Sequence, residues 1–527
     1  MENLNSRDSL SKSNLWKAQR SFYQEEGPAA WNSKVPFYIT SNPYLANAYA
    51  QVIMRYIQDI NSTGPSAEDE PFYILELGVG SGVFSFYLLK NLLELRNSPF
   101  GFNGKFVYIM SDLVNKNLLA AENHPAFKPF IEQGILQFAL FNAEKDDSIQ
   151  FRDGSFLHTG KPLIVVANYF FDSLSADAFH INKDGIKELQ IKQDIRIPKS
   201  GTPNLAFTLN DLDADAHYKE TSLPRFPEPG LNEVLQNYLE QQQETMILFP
   251  TGSFSCLERL RKISPEMMVL IADKGTIEPV HNEIYGFAVH TDCFSIMVDF
   301  HALGIYAKNT RGDSFQRQSD GVILSALFTG QNLSGLPETH RALAQSFGMF
   351  NPGYLYEVFN YFSDTKPRAK LETLLALMQL TSWDPMVFNQ FFDVIMASLP
   401  FAKTYCIEQL AAGVHLIAEN FFYFPHMQDT FVLIANFFQE IKRFNEALFY
   451  YKKSIDTFGI KENVYYNMGL CHYYLQDSEQ ALNYMRQTLE INAGHILAKG
   501  WIVQIQDEKT INTENTDSVQ NAPVQII

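Results

Sequence analysis

Short apolar runs alternate with longer amphipathic stretches between residue 72 and about residue 300. Each run is apolar at consecutive positions, which is typical of a strand covered by other elements on both faces. Strands separated by helical stretches predict a doubly wound α/β fold around a parallel sheet. The five predicted strands are FYILEL (72–77), FVYIMS (106–111), ILQFALF (135–141), PLIVVAN (162–168) and MMVLIA (267–272).

A long segment separates the fourth and fifth predicted strands. It covers about residues 185–250, is rich in Pro, Asp, Asn and Gln, and contains clear turn signals at 199–204 and 223–230. We interpret it as an insertion, either a small lid or an ordinary surface elaboration. Because strand-like runs fade after about residue 330, the first domain is predicted over residues 1–330, with its core at about 35–305.

Helical periodicity and an internal repeat characterise the rest of the chain. ALFYYKKSI (447–455) aligns with ALNYMRQTL (481–489) at an offset of 34 residues, and the same offset relates Ala435 to Gly469. This is the period of tetratricopeptide repeats, in which small residues let two helices approach closely. We therefore predict an all-α domain of the tetratricopeptide type. Its predicted parts are a helical region at 331–428 that is a candidate divergent repeat, repeats at 429–507, and a disordered polar tail at 508–527.

Composition and charge exclude several classes of protein. The chain is 46% hydrophobic and 14% aromatic, which is ample for packed cores, and its net charge of −18 argues against non-specific binding of nucleic acid. The four cysteines form no C-x-x-C motif and the histidines lack the spacing of ligands, so we expect neither a disulfide framework nor a metal. Without an apolar leader or a run of ~20 apolar residues, the protein is expected to be cytoplasmic and to contact no membrane.

A glycine-rich motif follows the first predicted strand. The sequence E-L-G-V-G-S-G runs from Glu76 to Gly82 and precedes a helical stretch. Such a turn lets a ligand approach the backbone at the start of a helix. A dinucleotide fingerprint would require glycine at position 83, where this chain has valine. The motif instead resembles motif I of class I S-adenosylmethionine (SAM) methyltransferases, and the alternative is a glycine turn without a ligand. The cofactor-binding candidates here are Glu76, Gly78, Gly80, Ser81 and Gly82.

Polar residues follow the second and third predicted strands. Asp112 comes at the end of the second strand, where an acid can accept both ribose hydroxyls. Asn142 and Ala143 follow the third strand, where a side-chain amide and a backbone N–H can read the adenine edge. The alternatives are a helix cap for Asp112 and an ordinary turn for Asn142. Since ligands bind at the carboxyl ends of the strands in open α/β sheets, three contacts in this order favour SAM as the cofactor.

Further segments resemble one branch, the MidA-like methyltransferases, the family of a mitochondrial assembly factor that methylates protein arginine. The similar segments, in order over about residues 35–305, are FYITSNPYLANAYA (37–50), ANYFFDSL (167–174), PEPGLNEVLQNYL (227–239), IADKGT (271–276) and VDFHAL (298–303). The resemblance implies that Thr40 and Ser41 approach the cofactor. It also shows a departure, because Tyr169 stands where the family pattern has glutamate, and a guanidinium substrate requires acids.

The end of the fourth strand carries the candidate catalytic residues. Asp172 is our first choice for a carboxylate that orients the substrate or accepts its proton, with Asn168 second; a helix cap is the alternative for Asp172. Three hypotheses follow. The chain is a protein methyltransferase whose repeats recruit substrate or partner, a catalytically silent SAM-fold scaffold that acts through its repeats, or a methyltransferase of small molecules.

Overall fold

The computed structural model describes residues 7–31, 38–63, 70–98, 104–195, 205–207, 213, 215–241, 244–279, 287–290, 293–318, 322–349, 352–364, 370–423 and 427–520. The chain forms two compact units, Met1–Val358 and Phe359–Ile527. All four cysteines are buried free thiols. No described helix combines the length and apolar character required to cross a membrane.

The elements of the first unit alternate as the hydrophobic pattern predicts. Before the predicted insertion they are β1 (Arg7–Ser9), α1 (Asn14–Glu26), α2 (Pro43–Thr63), β2 (Phe72–Leu77), α3 (Val83–Asn97), β3 (Phe106–Asp112), α4 (Asn115–Glu122), α5 (Lys128–Glu132), β4 (Leu136–Leu140), β5 (Leu163–Asn168) and β6 (Asp177–Asn182). They continue with β7 (Gly185–Lys192), β8 (Leu205–Phe207), β9 (His217–Thr221), α6 (Pro229–Glu240), β10 (Thr245–Phe249), α7 (Thr251–Ile263), β11 (Met267–Asp273), β12 (Gly275–Thr276), β13 (Phe287–His290), β14 (Cys293–Ser295), β15 (Val298–Asp299), α8 (Phe300–Asn309), β16 (Asp313–Arg317), β17 (Ile323–Thr329) and α9 (Pro337–Met349).

The central sheet has the strand order β16-β17-β11-β5-β2-β3-β4. The five strands predicted from the sequence are β2, β3, β4, β5 and β11, and they pair in parallel. These five strands have the order of a doubly wound fold, and their carboxyl ends share one edge of the sheet. Strands β16 and β17 extend the sheet beyond the predicted core, and β17 pairs antiparallel with both neighbours.

The predicted insertion contributes to a second, antiparallel sheet. Its order is β1-β7-β6-β10, with β9 also paired to β7. Leu10 and Trp16 pack with residues of β6 and β7 in an apolar cluster, so the beginning of the chain is fastened to this sheet. The segment 185–250 is therefore an integral layer that fixes helix α1 rather than an appended loop.

The second unit is helical. It follows α10 (Pro352–Asp364), which crosses the boundary between the units, and contains α11 (Leu371–Leu380), α12 (Pro385–Ser398), α13 (Thr404–Asn420), α14 (Thr430–Glu440), α15 (Phe444–Phe458), α16 (Glu462–Tyr474), α17 (Ser478–Ile491) and α18 (Ile496–Gln520). A Cβ atom at Gly469 would lie 2.9 Å from Met485 Cε, so α16 and α17 approach closely at the predicted small residue. Helix α18 extends into the predicted tail at 508–527, and residues 521–527 lie outside the described residues.

Candidate functional site

The glycine turn begins directly after β2, at the shared edge of the sheet. Gly80 has a φ of +54°, a left-handed conformation that glycine adopts without steric cost. Its backbone N–H donates to Asp112 Oδ2 at 3.1 Å, which ties the turn to the end of β3. A Cβ atom at Gly80 would lie 2.6 Å from Trp31 Cζ2, so the indole of Trp31 packs directly on the turn. The turn is thus held from below by an acid and covered from above by an aromatic ring.

Glu76 is the acid of the predicted motif, and it is buried beneath the turn. Its Oε2 accepts hydrogen bonds from the hydroxyls of Ser85 and Tyr108, the latter at 2.7 Å. Burial raises the pKa of Glu76 to about 7, and the two hydroxyls oppose that rise. Glu76 is also one of the residues that line a cleft at the carboxyl edge of the central sheet, between the glycine turn and helix α1.

Asp112 connects three parts of the site. Besides Gly80, it accepts from the backbone N–H of Val114 at 2.7 Å and from Asn117 Nδ2 at 3.1 Å. Burial raises the pKa of Asp112, and these hydrogen bonds oppose the rise. Each carboxylate oxygen can accept two hydrogen bonds. Oδ2 already accepts two, from Gly80 and Asn117, so at most one position, on Oδ1, remains for a ligand hydroxyl. Asn117 Oδ1 is buried and has no hydrogen-bond partner among the described residues.

The residue pair predicted for adenine follows β4. Asn142 Oδ1 accepts from the backbone N–H of Glu144 at 3.1 Å, and the backbone N–H of Asn142 donates to Asp146 at 2.7 Å. This is the turn that the sequence analysis gave as the alternative. Asn142 and Ala143 nevertheless line the cleft, so the turn presents both residues to a ligand.

Asn168 lies at the end of β5, and both the nitrogen and the oxygen of its side-chain amide are hydrogen-bonded. Its Nδ2 donates to the carbonyl of Thr40 at 3.2 Å, and its Oδ1 accepts from the hydroxyl of Tyr49 at 2.9 Å. These bonds hold the segment with Thr40 and Ser41 against the sheet edge, where both residues line the cleft. In this structure Asn168 positions the wall of the cleft.

One complete wall of the cleft was not predicted from the sequence. Gln19, Arg20 and Tyr23 of α1 and the nearby Trp31 line it, although no motif marks them. Arg20 bridges to Glu144 at 3.0 Å, and the rings of Tyr23 and Trp31 are stacked with centroids 5.9 Å apart. An amphipathic pattern indicates which face of a helix is buried, but not that the buried face meets a ligand cleft.

A second, smaller cavity adjoins the cleft. Its lining residues are Tyr23, Tyr169, Asp172, Ser173, Lys274, His290, Phe294 and Ser295. Tyr23, Tyr169 and Ser173 line both spaces. Asp172 lies only in the second cavity, whereas every predicted cofactor residue except Gly82 lines the first. The predicted catalytic carboxylate and the predicted cofactor residues therefore line two different spaces, which meet at the junction formed by these three shared residues.

The junction contains strained backbone and buried charge. Tyr169 has a φ of +45°, a conformation that is uncommon outside glycine and concentrates at functional sites. Asp172 lies inside the short turn Phe171–Ser173 and its Oδ1 accepts from the hydroxyl of Ser173 at 2.9 Å, so the cap alternative is not observed. Burial raises the pKa of Asp172 to about 6, and burial with repulsion by Asp172 raises the pKa of Asp273.

His290 completes the second cavity. Its Nε2 lies 3.1 Å from the hydroxyl of Ser295. Burial and the charge of Lys274 lower the pKa of His290 to about 4, so the imidazole is neutral at physiological pH. The lining of the cavity therefore combines one carboxyl group, that of Asp172, with a neutral imidazole and the amine of Lys274.

Comparisons with known proteins agree with this geometry. Residues 49–286 match a family model described as "Putative S-adenosyl-L-methionine-dependent methyltransferase", and residues 462–495 match a tetratricopeptide repeat model. No curated protein is significantly similar to the chain.

Similar solved structures have low sequence identity. An uncharacterized protein from Burkholderia thailandensis is 13% identical over 60% of this chain and 80% of that chain, with a TM-score of 0.31. A Burkholderia thailandensis protein bound to S-adenosyl-homocysteine is 13% identical over 57% and 72%, with a TM-score of 0.32. The MamA protein is 15% identical over 32% and 90%, with a TM-score of 0.25.

The polar groups of the cleft suit the matched cofactor. SAM presents an ammonium group, two ribose hydroxyls and an adenine amino group, all of which donate hydrogen bonds. The residues that line the cleft include Asp112 and two residues, Gln19 and Asn117, whose buried side-chain oxygens have no hydrogen-bond partner among the described residues. These groups agree with the match of residues 49–286 to putative SAM-dependent methyltransferases, and residues 462–495 match a tetratricopeptide repeat.

Proposed function

We propose that this protein transfers the methyl group of SAM to a nitrogen atom of a protein side chain, and that its helical repeats recruit the substrate or a partner. One observation carries the proposal: the cofactor cleft and the cavity of Asp172 meet at Tyr23, Tyr169 and Ser173. An acceptor in the second cavity would therefore meet the cofactor at a single junction, beside a carboxyl group.

In methyl transfer the cofactor supplies the reactive group, and the chain forms no covalent bond with the substrate. When bound, SAM supplies an activated methyl group on a sulfonium and leaves as the thioether S-adenosylhomocysteine. The chain aligns the lone pair of the acceptor nitrogen, excludes water and receives the proton that the nitrogen loses. In our proposal the carboxylate of Asp172 accepts a hydrogen bond from the N–H of the substrate nitrogen and stabilises the positive charge that develops on this nitrogen. The hydroxyl of Ser173 fixes one of its oxygens.

The acid pair sets the pH at which this carboxylate is available. Two buried carboxyls in contact hold on to one proton because both cannot ionise cheaply. Since the pKa of Asp172 is raised only to about 6, the residue is ionised at neutral pH. Asp273 accepts the backbone N–H groups of Phe170 and Asp172 at 3.2 Å and 3.1 Å, so it holds the turn that presents Asp172.

The resemblance to the MidA-like family and the residue at position 169 both bear on which nitrogen receives the methyl group. The segments that resemble the MidA-like family support an arginine acceptor. Tyr169, which stands at the glutamate of that pattern, lines the junction with a phenol in place of an acid. A phenol does not form the paired, charge-assisted hydrogen bonds by which a carboxylate recognises a guanidinium. We therefore propose a nitrogen acceptor and treat arginine as one of the side chains to be tested.

A protein substrate is supported by the repeats of the second unit. Phe449 and Tyr474 on α15 and α16 are more than half exposed, and the ring of Tyr474 stacks on Phe444 with centroids 5.2 Å apart. Exposed aromatic residues on a rigid helical array are suited to docking an extended peptide or a helix.

Transfer of labelled methyl groups tests the proposal. The purified full-length protein is incubated with SAM that carries a labelled methyl group and with a lysate of its own cells. We expect one or a few labelled protein bands, and much weaker bands after the same time with the Asp172→Asn variant. Label confined to small molecules would contradict the protein substrate, and the absence of any label would contradict catalysis.

A further inference from the structure

Helix α1 lies outside the segment 49–286 that matches the methyltransferase family, yet it forms one wall of the cofactor cleft. The helix is rigidly placed. The backbone N–H of Asn14 donates to the carbonyl of Gln193 at 2.8 Å, and the indole of Trp16 donates to the carbonyl of Leu10 at 2.9 Å. The rings of Trp16 and Phe294 are 5.2 Å apart. Side chains that point from α1 into the cleft are therefore held in position by the second sheet.

Gln19 is the residue of α1 that calls for an explanation. Only 2% of its surface is exposed, and its Nε2 donates to the carbonyl of Ser173 at 3.4 Å. Its Oε1 is buried and has no hydrogen-bond partner among the described residues. Most buried polar atoms in folded proteins are hydrogen-bonded, because leaving one unpaired is unfavourable. An unpaired acceptor on the wall of a ligand cleft indicates that the ligand supplies the donor.

The position of Gln19 indicates which groups of the cofactor could supply that donor. Ser173, to which Gln19 is bonded, is one of the three residues that line both cavities. On the other side, the neighbouring Arg20 pairs with Glu144, which follows the pair predicted for adenine. Both cofactor groups that carry N–H donors, the ammonium of the amino-acid moiety and the adenine amino group, are compatible with a position between these two regions.

We propose that Gln19 is a cofactor-binding residue whose Oε1 accepts a hydrogen bond from an N–H group of SAM, and that α1 is thereby a functional part of the methyltransferase site. The inference rests on the assigned cofactor and not on the nature of the acceptor. It also explains why the protein keeps a buried amide at this position, where an apolar side chain of equal size would pack without an unpaired oxygen.

Binding measurements on the full chain test this inference. Gln19→Met keeps the length and volume of the side chain. It removes the acceptor Oε1 and also the long hydrogen bond, 3.4 Å, from Nε2 to the carbonyl of Ser173. Gln24→Met makes the same change at an exposed position of the same helix and serves as the matched control. Calorimetry is performed with S-adenosylhomocysteine and with 5′-methylthioadenosine, which has the same nucleoside thioether but no amino-acid moiety. The melting temperature of each ligand-free protein is measured in parallel.

We expect Gln19→Met to bind S-adenosylhomocysteine about 10-fold more weakly or worse, the usual scale for a lost hydrogen bond. Unchanged binding of 5′-methylthioadenosine would identify the ammonium as the donor, and an equal loss for both ligands would identify the adenine amino group. The ligand-free variant should melt close to the wild-type temperature, because removal of an unpaired buried acceptor offsets the loss of the long hydrogen bond to Ser173. Gln24→Met should match the wild type throughout.

Two results would overturn the inference. Affinities of Gln19→Met within twofold of the wild type for both ligands would show that Oε1 contacts no cofactor. A fall in its melting temperature that accompanies the loss of affinity would show a structural role instead. If the wild type itself bound neither ligand, the cofactor assignment would be contradicted, and with it this inference. Because the wild type and Gln24→Met are measured in parallel, this outcome is distinguished from a loss of binding in Gln19→Met alone.

Discussion

The backbone N–H of Asp172 donates to Oδ2 of Asp273 at 3.1 Å, and both residues are buried. Asp273 ends β11, and Asp172 lies just after the end of β5, its neighbour in the sheet. The parallel sheet therefore brings together two acids that are about 100 residues apart in sequence. Asp172 reaches the second cavity, and Asp273 supports the turn that carries it.

This relationship predicts the pH dependence of methyl transfer. Asp172 must be ionised to accept a proton, and burial raises its pKa to about 6. Below that pH the rate should fall about tenfold per pH unit, and above it the rate should be constant. Because the proton is shared with Asp273, the inflection belongs to the pair. Single-turnover rates between pH 5 and 8 check this, and a rate that does not change across pH 6 would contradict it.

The glycine turn makes a separate prediction about cofactor binding. Gly80→Asp places a Cβ atom against the indole of Trp31 and a carboxylate in the cleft, so affinity for S-adenosylhomocysteine should fall at least 100-fold. Gly134→Asp is the control, because Gly134 is also left-handed, with a φ of +70°, but has nothing within 4 Å of its Cβ position. Calorimetry on both variants is decisive. Equal affinities would show that the turn does not contact the cofactor.

The extent of the first unit predicts where the chain can be shortened. In α9, the backbone N–H and hydroxyl of Thr339 donate to the buried carboxylate of Asp59, each at 2.7 Å. Phe347 of the same helix packs on Tyr49, which holds Asn168 at the cleft. A chain ending at residue 330 lacks α9 and should be insoluble or bind cofactor at least tenfold more weakly. A chain ending at residue 364 should bind normally, and equal binding by both would contradict this role of α9.

Much of the fold follows from local pattern, but the second sheet and α1 do not. The strands β2, β3, β4, β5 and β11 are apolar on both faces, and this property is visible in the sequence. The strands of the segment 185–250 are amphipathic and interrupted by turns, and the pairing of β7 with β1 depends on a distant part of the chain. Strand β17 is also apolar throughout, but it follows the predicted core, and no local signal places it between β11 and β16.

The candidate site divides in the same way. Gly80, Asp112 and Asn142 could be proposed from the sequence because each follows a predicted strand, and the carboxyl ends of parallel strands meet at one edge. Gln19 and Tyr23 could not, because they reach this edge from a helix that is anchored on the second sheet. Asn168, proposed as a catalytic residue, lies at the end of β5, and its hydrogen bonds to Thr40 and Tyr49 indicate a positioning role.

The repeats predict a local effect on stability. Gly469→Leu would force Met485 to move and separate α16 from α17, which should lower the stability of the second unit by about 1–3 kcal/mol. Gly500→Leu, in an exposed part of α18 with nothing within 4 Å of the Cβ position, should be neutral or stabilising. Calorimetric unfolding should show the loss in one transition only, with unchanged cofactor affinity. A loss of cofactor affinity in Gly469→Leu would contradict the independence of the repeats.

The role of Asp172 is tested most directly by Asp172→Asn, measured for cofactor affinity and for single-turnover transfer of a labelled methyl group to protein. The variant keeps the size of the side chain and one acceptor oxygen but removes the charge. We predict an affinity for SAM close to that of the wild type, since Asp172 lies outside the cofactor cleft, and a transfer rate lower by a factor on the order of 10². An Asp172→Asn protein that transfers methyl groups at the wild-type rate would contradict the account.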